Sequence, residues 1–526
     1  MLVQTLSPCF RPWLPKLMRL SSCHRHNILS QHCMSYSTGE HAHTPTQGIA
    51  QLERDLDRLV PRIDLDASQI RIIDLPREFF STLTDKIINA RSRIFLSTLY
   101  IGSSEHRLVQ AIRTALQKNP YLRVSILTDA LRGTREAPSN SCASLLAPLV
   151  QDFPERVEVR MYHTPNLTGL RKALIPKRIN EGWGLQHIKI YGVDNEVMLS
   201  GANLSSDYFT NRQDRYHVFK SKPVTDYFST IHEAVCSVSF SLEPLPEPPA
   251  FRLIWPDTNK ARNPLQHPLL YKAATTSLLR PLVSPPTNPP SSSTTNTSVY
   301  PLLVHPPTIN TELPAVKTLL TSHRSVENYV FTAGYFNPHP LITATLLNLS
   351  SPPSSTPGTI LTASPFANGF FGSKGISGML PAAYTHLSWL FLRSARNKNL
   401  QLREWRRGTV GQPGGWTYHA KGLWATLPSD ESQSNSQPKR NEEAGPNVTL
   451  IGSSNYTTRS YGLDLEVGAM IVTTDPGLRA RLKREREMLE EHTQPVSEAD
   501  LNAKDRKASW RVRLAMWIVK RVGGSL

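Results

Sequence analysis

Residues 184–216 read GLQHIKIYGVDNEVMLSGANLSSDYFTNRQDRY, and the parsing of this stretch decides the fold. HIKIYGV alternates toward a strand, Asp194-Asn195 is a turn signal and EVMLSG is a second strand, so a hairpin is expected. His187 and Lys189 stand two apart, and residues two apart on a strand project to one face. Asn203 follows the partner strand. An imidazole that exchanges a proton near neutral pH, beside an ammonium and an amide that can hold non-bridging phosphate oxygens, suits phosphoryl chemistry and requires no metal. Taken alone, the same residues also fit an ordinary strand histidine and a solvated lysine.

A second copy changes that balance. HAKGLWATL at 419–427 again sets His419 and Lys421 two apart, and NVTLIGSSNYTTRSYGLDLE at 447–466 carries Gly452, Ser453 and Asn455. Two H-x-K strands, each followed by a strand ending in small residues and Asn, make an internal repeat of long period. The copies differ in two ways. The position matching Asp194 is Thr426, and the Lys-to-Gly gap grows from 12 (201 − 189) to 31 (452 − 421). The extra residues are the polar PSDESQSNSQPKRNEEAGP, 428–446, which reads as a loop lengthening the second hairpin.

The paired H-x-K motifs, together with LTDALRGTRE at 127–136, resemble the phospholipase D superfamily, and within it the mitochondrial CDP-diacylglycerol–glycerol-3-phosphate 3-phosphatidyltransferase family. The resemblance spans Ile70 to Val472. It implies an α/β fold of two α/β/α halves with mixed sheets, related by a pseudo-twofold axis, with the site at their interface. It also implies phosphatidyl transfer from CDP-diacylglycerol to glycerol 3-phosphate through a phosphatidyl-histidine. His187 would be the nucleophile and His419 the acid/base, with Lys189, Lys421, Asn203 and Asn455 on the phosphoryl oxygens. Asp194 would orient an imidazole or Lys189, and Glu466 a histidine. Arg132, Arg135, Arg215 and Arg459 are candidate clamps for a substrate phosphate. No cofactor and no metal are implied, and the location implied is peripheral, at the mitochondrial inner membrane. The motifs leave the acceptor open: serine, phosphatidylglycerol or water in its place would make a phosphatidylserine synthase, a cardiolipin synthase, or a phospholipase or nuclease.

Strands alternating with helices surround the first motif. IFLSTLYIG (94–102), LRVSILTD (122–129) and RVEVRMYH (156–163) are apolar enough for buried strands, and LVQAIRTALQK sets Leu108, Ile112, Ala115 and Leu116 on one helix face. NYVFTAGYFN at 328–337 matches the first of these in the second half. The expected domains are a first half at 51–245, an irregular linker at 246–325 with the Pro/Ser-rich SPPTNPPSSSTTNTS, a second half at 326–474, and C-terminal helices at 475–526.

Composition sets the outer limits. The 526 residues carry a formal charge of +17, which calls for an anionic partner: nucleic acid, acidic lipid or a phosphorylated substrate. A nucleic-acid-binding protein with vestigial histidines is the alternative from another class; no interleaved array of aromatic and basic residues marks a nucleic-acid platform, and nucleic acid is not the expected partner. The five cysteines are scattered without a C-x-x-C pair, so neither a disulfide framework nor a zinc site is expected. Residues 1–39 lack Asp and Glu, contain four Lys/Arg and are serine-rich, as in a mitochondrial presequence. No apolar run reaches a membrane-spanning length. Lys504 to Arg521 places Trp510, Leu514, Trp517 and Ile518 at helical spacing among basic residues, which fits either an anionic membrane surface or docking on the protein's own core.

Overall fold

The computed structural model describes residues 48–177, 179–247, 250–286, 295–321, 326–352, 354–428 and 445–521. The expected presequence, the body of the polar hairpin insert and most of the Pro/Ser-rich stretch lie outside the described residues.

Two mixed sheets carry the chain, and their strand orders repeat. In the first, Phe240–Pro244, Val157–Tyr162, Arg123–Asp129, Arg93–Ser97, Ile190–Val193, Glu196–Ser200, Tyr216–Phe219 and Ile70–Ile73 are successive neighbours, with Phe251–Ile254 beyond Phe240–Pro244. The second runs Thr493–Pro495, Leu400–Trp405, Gly358–Ala363, Asn328–Ala333, Lys421–Thr426, Val448–Gly452, Glu466–Thr473 and Thr297–His305. In each, three neighbouring strands are parallel and the rest antiparallel. The hairpin of the H-x-K motif lies centrally in each sheet.

Apolar periodicity explains the layers. On the outer face of the first sheet, helices Pro76–Ile88, His106–Lys118 and Cys142–Asp152 bury stripes such as Phe79, Leu83 and Ile87. Helices Glu312–Thr321 and Pro340–Leu349 do the same for the second. Between the sheets a third cluster joins Phe95, Ile190 and Leu199 to Val299, Leu361 and Ile471, and helices Lys222–Cys236, Pro268–Val283 and Pro476–Glu490 contribute to it.

Two expected boundaries differ. The segment at 48–65 follows the second half: helix Gly48–Asp57 buries Leu52 and Leu56 in the outer cluster of the second sheet, and Ile63–Leu65 pairs with Thr297–Val299. The linker at 246–325 is largely structured, since it contains Phe251–Ile254, Pro268–Val283, Thr297–His305 and Glu312–Thr321. Thr297–His305, TSVYPLLVH, is wholly buried, and its Pro301 and neighbouring Ser/Thr disguise a strand in sequence. The C-terminal helix Trp510–Arg521 docks through Val512 and Met516 against Met379, Ala382 and Ala383, and the other side, with Trp510, Leu514 and Trp517, stays exposed.

Candidate functional site

Each H-x-K motif sits where its strand leaves the sheet to meet the other half. The regular strand begins at Ile190, because Leu185–His187 pairs across the halves: His187 N–H donates to Leu465 O at 2.8 Å, and Leu465 N–H to Leu185 O at 2.8 Å. The second motif repeats this. Thr417–Tyr418 runs parallel to Arg212–Gln213, and His419 N–H donates to Gln213 O at 2.8 Å. These pairings deliver the next residues, Glu466 and Asp214, to the opposite half's histidine.

The carboxylates are therefore crossed. His187 Nδ1 lies 3.0 and 2.9 Å from the Glu466 oxygens, and His419 Nδ1 lies 2.7 Å from Asp214 Oδ2. With Nδ1 held, Nε2 is the nitrogen left to each imidazole for a ligand. The His419 ring meets Tyr208 and Tyr335 edge-on, and its Nε2 is 3.4 Å from the Tyr208 hydroxyl. Both lysines are buried. Lys189 Nζ donates to His187 O at 2.6 Å; Lys421 Nζ lies 2.8 Å from His419 Nδ1 and 3.9 Å from Asp214. Gly201 is required by this packing, since a Cβ there would come within 2.7 Å of Asp214 Oδ1 and 2.8 Å of Lys421 Nζ.

Burial dominates the electrostatics. It lowers both imidazoles well below their usual range, helped by Lys189 beside His187 and Lys421 beside His419. It also pushes the Asp214 carboxyl up to about 6 and Glu466 up to about 7 against the pull of the lysines, and Lys421 down to about 8. The neutral imidazole is thereby favoured, which is the form a nucleophile or base needs.

Both histidines line a cavity of about 420 Å³ together with Asn203, Asn455, Arg132, Arg135 and Arg459. Among the described residues Asn203 Oδ1 and Asn455 Oδ1 have no hydrogen-bond partner. Each arginine has a carboxylate neighbour: Arg132 reaches Glu136 at 2.9 Å, Arg135 reaches Glu181 at 2.9 Å, and Arg459 reaches Asp464 at 2.9 Å. Among the described residues no group of His, Cys, Asp and Glu is arranged to hold a metal ion.

Two expected site residues stand elsewhere. The Asp194 carboxylate, in the hairpin turn at φ 53°, accepts from the backbone N–H groups of Arg91, Ser92 and Arg93 and from the Ser92 hydroxyl. Those bonds hold its pKa below the usual value against the opposing effect of burial. It fastens the turn to the start of a neighbouring strand and does not line the cavity. In the second half Thr426 makes the corresponding tie, its hydroxyl donating to Asn328 Oδ1 at 3.2 Å, and like Asp194 it stands off the cavity wall. Arg215 is buried away from the cavity. Its Nε and Nη2 reach Glu485 at 2.9 and 2.8 Å, and Nη1 donates to Leu450 O at 2.6 Å and Lys421 O at 3.3 Å.

Asp214 and Arg212 are site residues that the motif reading passes over. Spacing holds the signal for Asp214: it follows Asn203 by 11 residues (214 − 203), as Glu466 follows Asn455 (466 − 455). Arg212 lines the cavity over the Tyr208 ring, and sequence alone does not distinguish it from a surface charge.

No family model matches the chain. Over 452 residues it is 44% identical to the CDP-diacylglycerol–glycerol-3-phosphate 3-phosphatidyltransferase of Saccharomyces cerevisiae, a match covering 83% of this chain and 84% of that protein. It is 34% identical over 506 residues to the human mitochondrial enzyme of that name, covering 88% and 84%. Among solved structures it is similar to the phosphatidylserine synthase of Haemophilus influenzae Rd KW20, with a TM-score of 0.67 at 20% identity, over 91% of this chain and 98% of that one. At that identity the likeness is one of fold.

Proposed function

The chain belongs to the CDP-diacylglycerol–glycerol-3-phosphate 3-phosphatidyltransferase family, and from that premise we propose that it transfers the phosphatidyl group of CDP-diacylglycerol to glycerol 3-phosphate, releasing CMP. The observation that supports the site assignment is the crossed pairing of His187 with Glu466 and His419 with Asp214. His187 Nε2 attacks the lipid-linked phosphorus, the bond to the CMP oxygen breaks, and His419 gives its proton to that oxygen. His419 then takes a proton from the glycerol hydroxyl as this oxygen attacks the same phosphorus. The phosphorus–nitrogen bond breaks, and phosphatidylglycerophosphate leaves.

His419 must start protonated, although burial disfavours its imidazolium. The negative charge of the entering diphosphate supplies the missing stabilisation, because a nearby anion raises an imidazole pKa. Lys189, Lys421, Asn203 and Asn455 meet the charge that develops on the non-bridging oxygens. Arg132, Arg135 and Arg459 receive the remaining phosphate groups, exchanging carboxylate partners for substrate. Glu466 and Asp214 hold the imidazoles in one tautomer.

The chain acts in the mitochondrion, as its relatives named mitochondrial do, and it works on the inner-membrane surface. No described helix is long and apolar enough to cross a membrane. The domain plan that goes with this reading is two halves bracketed by a presequence at 1–39 and C-terminal helices at 475–526.

The test is CMP release from CDP-diacylglycerol in detergent with EDTA, with and without labelled glycerol 3-phosphate, beside His187→Ala and His419→Ala. Label entering lipid as phosphatidylglycerophosphate, and lost in both variants, is the expected result. CMP release that ignores the acceptor would make the protein a hydrolase.

A further inference from the structure

The reading of the donor as a membrane lipid leaves open how its headgroup reaches a buried site while its acyl chains stay in the bilayer. Two apolar edges flank the cavity. The first is the helix Gly169–Leu174, GLRKAL, which has no buried residue: Leu170 is 81% and Leu174 79% exposed. Spaced i, i+4, they share one side of the helix. The chain continues through Ile179, also exposed, to Glu181 and Leu185, which line the cavity, and Leu167 just before the helix packs against Leu99 and Leu185. The second edge begins at Phe370 on the cavity wall and passes the exposed Ile376 to Leu380 and Tyr384, again on the wall. The C-terminal helix extends it. Val512 and Met516 dock beside Ala383, and Trp510, Leu514 and Trp517, at i, i+4 and i+7, form the opposite face. Arg511 and Arg513 are exposed on either side of that face.

Charge selects the occupant. No Asp or Glu occurs in 165–180, 366–396 or 506–521, whereas these stretches contain Arg171, Lys172, Lys177, Lys374, Arg511 and Arg513. Exposed leucine and tryptophan bordered by cations, with no anion among them, match an anionic lipid surface, where apolar side chains enter the interface and basic ones stay at the headgroups.

We propose that the Gly169–Lys177 segment and the C-terminal helix together seat the cavity mouth on an anionic bilayer, so that the donor's headgroup enters the site from the membrane side. This rests on the transferase reading above. The experiment uses the full chain, Leu170→Ser/Leu174→Ser, Trp510→Ser/Leu514→Ser/Trp517→Ser, and all five changes together. Sedimentation with phosphatidylcholine vesicles, with and without phosphatidylglycerol, reads binding. Turnover is read with long-chain CDP-diacylglycerol in vesicles and with a dioctanoyl donor free in solution.

Wild type is expected to sediment with the anionic vesicles, and each set of changes to weaken this by about ten-fold. Vesicle turnover should fall in step, while turnover of the soluble donor stays within about two-fold, which also reports an intact fold. Vesicle binding that is unchanged in the five-fold variant overturns the proposal, as does an equal loss of turnover on both donors. A wild type that binds vesicles and transfers phosphatidyl from neither donor would overturn the transferase reading and leave this surface standing.

Discussion

The contact with a histidine that motif reading assigns to Asp194 is made by Asp214. Asp194 completes H-x-K-x4-D, yet its carboxylate is spent on the backbone of Arg91–Arg93; Asp214, in no motif, holds His419. Local spacing shows which residues share a strand, whereas the partner of a histidine across a half-to-half interface is visible only by comparing the two copies. Asp194→Asn is therefore expected to keep kcat within about three-fold while costing about 1–3 kcal/mol of stability, since several donors lose a charged acceptor. Asp214→Asn and Glu466→Gln should each lower kcat by about 10²-fold or more. Steady-state turnover and urea unfolding of the three variants separate the roles.

Glu312, outside the catalytic set, offers a pH test. It is buried, accepts from the Tyr461 hydroxyl at 2.9 Å, and burial pushes its carboxyl from 4.5 up to about 7. A carboxyl raised on folding binds its proton more tightly in the folded state. Its contribution is fully present below pH 4.5 and is lost as the pH rises through 7. Glu312→Gln should thus gain about 2–3 kcal/mol relative to wild type between pH 5 and pH 8, measured by urea unfolding at both. A constant difference would show that Glu312 does not take up a proton on folding.

At the scale of elements, the hairpins and parallel strands are legible because alternation and apolar runs are local properties. The helix Pro476–Glu490 is legible too: Asp475 caps it, its side chain accepting from Leu478 N–H at 2.7 Å. What its charged sequence hides is Glu485, which lies wholly inside. Glu485 accepts from Arg215, from His217 Nε2 at 2.9 Å and from Trp424 Nε1 at 3.0 Å. Arg215 follows Asp214 in the chain and donates to the carbonyl of Lys421, so this clasp joins the segment bearing His419's carboxylate to the strand bearing its lysine. Gly422 leaves the room, as a Cβ there would lie 1.8 Å from Arg215 Nη1. Glu485→Ala strands a buried guanidinium and should cost about 3–5 kcal/mol. Glu485→Gln, which retains an acceptor, should fold and lose kcat with KM unchanged if the clasp positions the His419 pair. A raised KM with kcat unchanged would instead assign it to substrate binding.

For the whole molecule, the repeat in sequence reveals two halves but conceals how they share chain. Each lends a carboxylate to the other's histidine, so neither can complete a pair. Cutting within the Pro/Ser-rich stretch, after residue 290, should give two pieces that are separately inactive and active when mixed. Residues 48–65 make the sharper case, because they precede the first half and belong to the second. Leu52, Leu56 and Val60 are fully buried beside Tyr300, Leu302 and Leu319, and Ile63–Leu65 extends the second sheet. At about 1.5–3 kcal/mol for each fully buried aliphatic side chain, removing this arm should weaken assembly by at least about 4 kcal/mol. That corresponds to roughly 10³-fold in the dissociation constant of the two pieces. Titrating the 291–526 piece with N-terminal pieces starting at 48 or at 66, and following recovered turnover, tests this directly. Equal affinities would mean that the arm covers the second sheet without helping to hold the halves together.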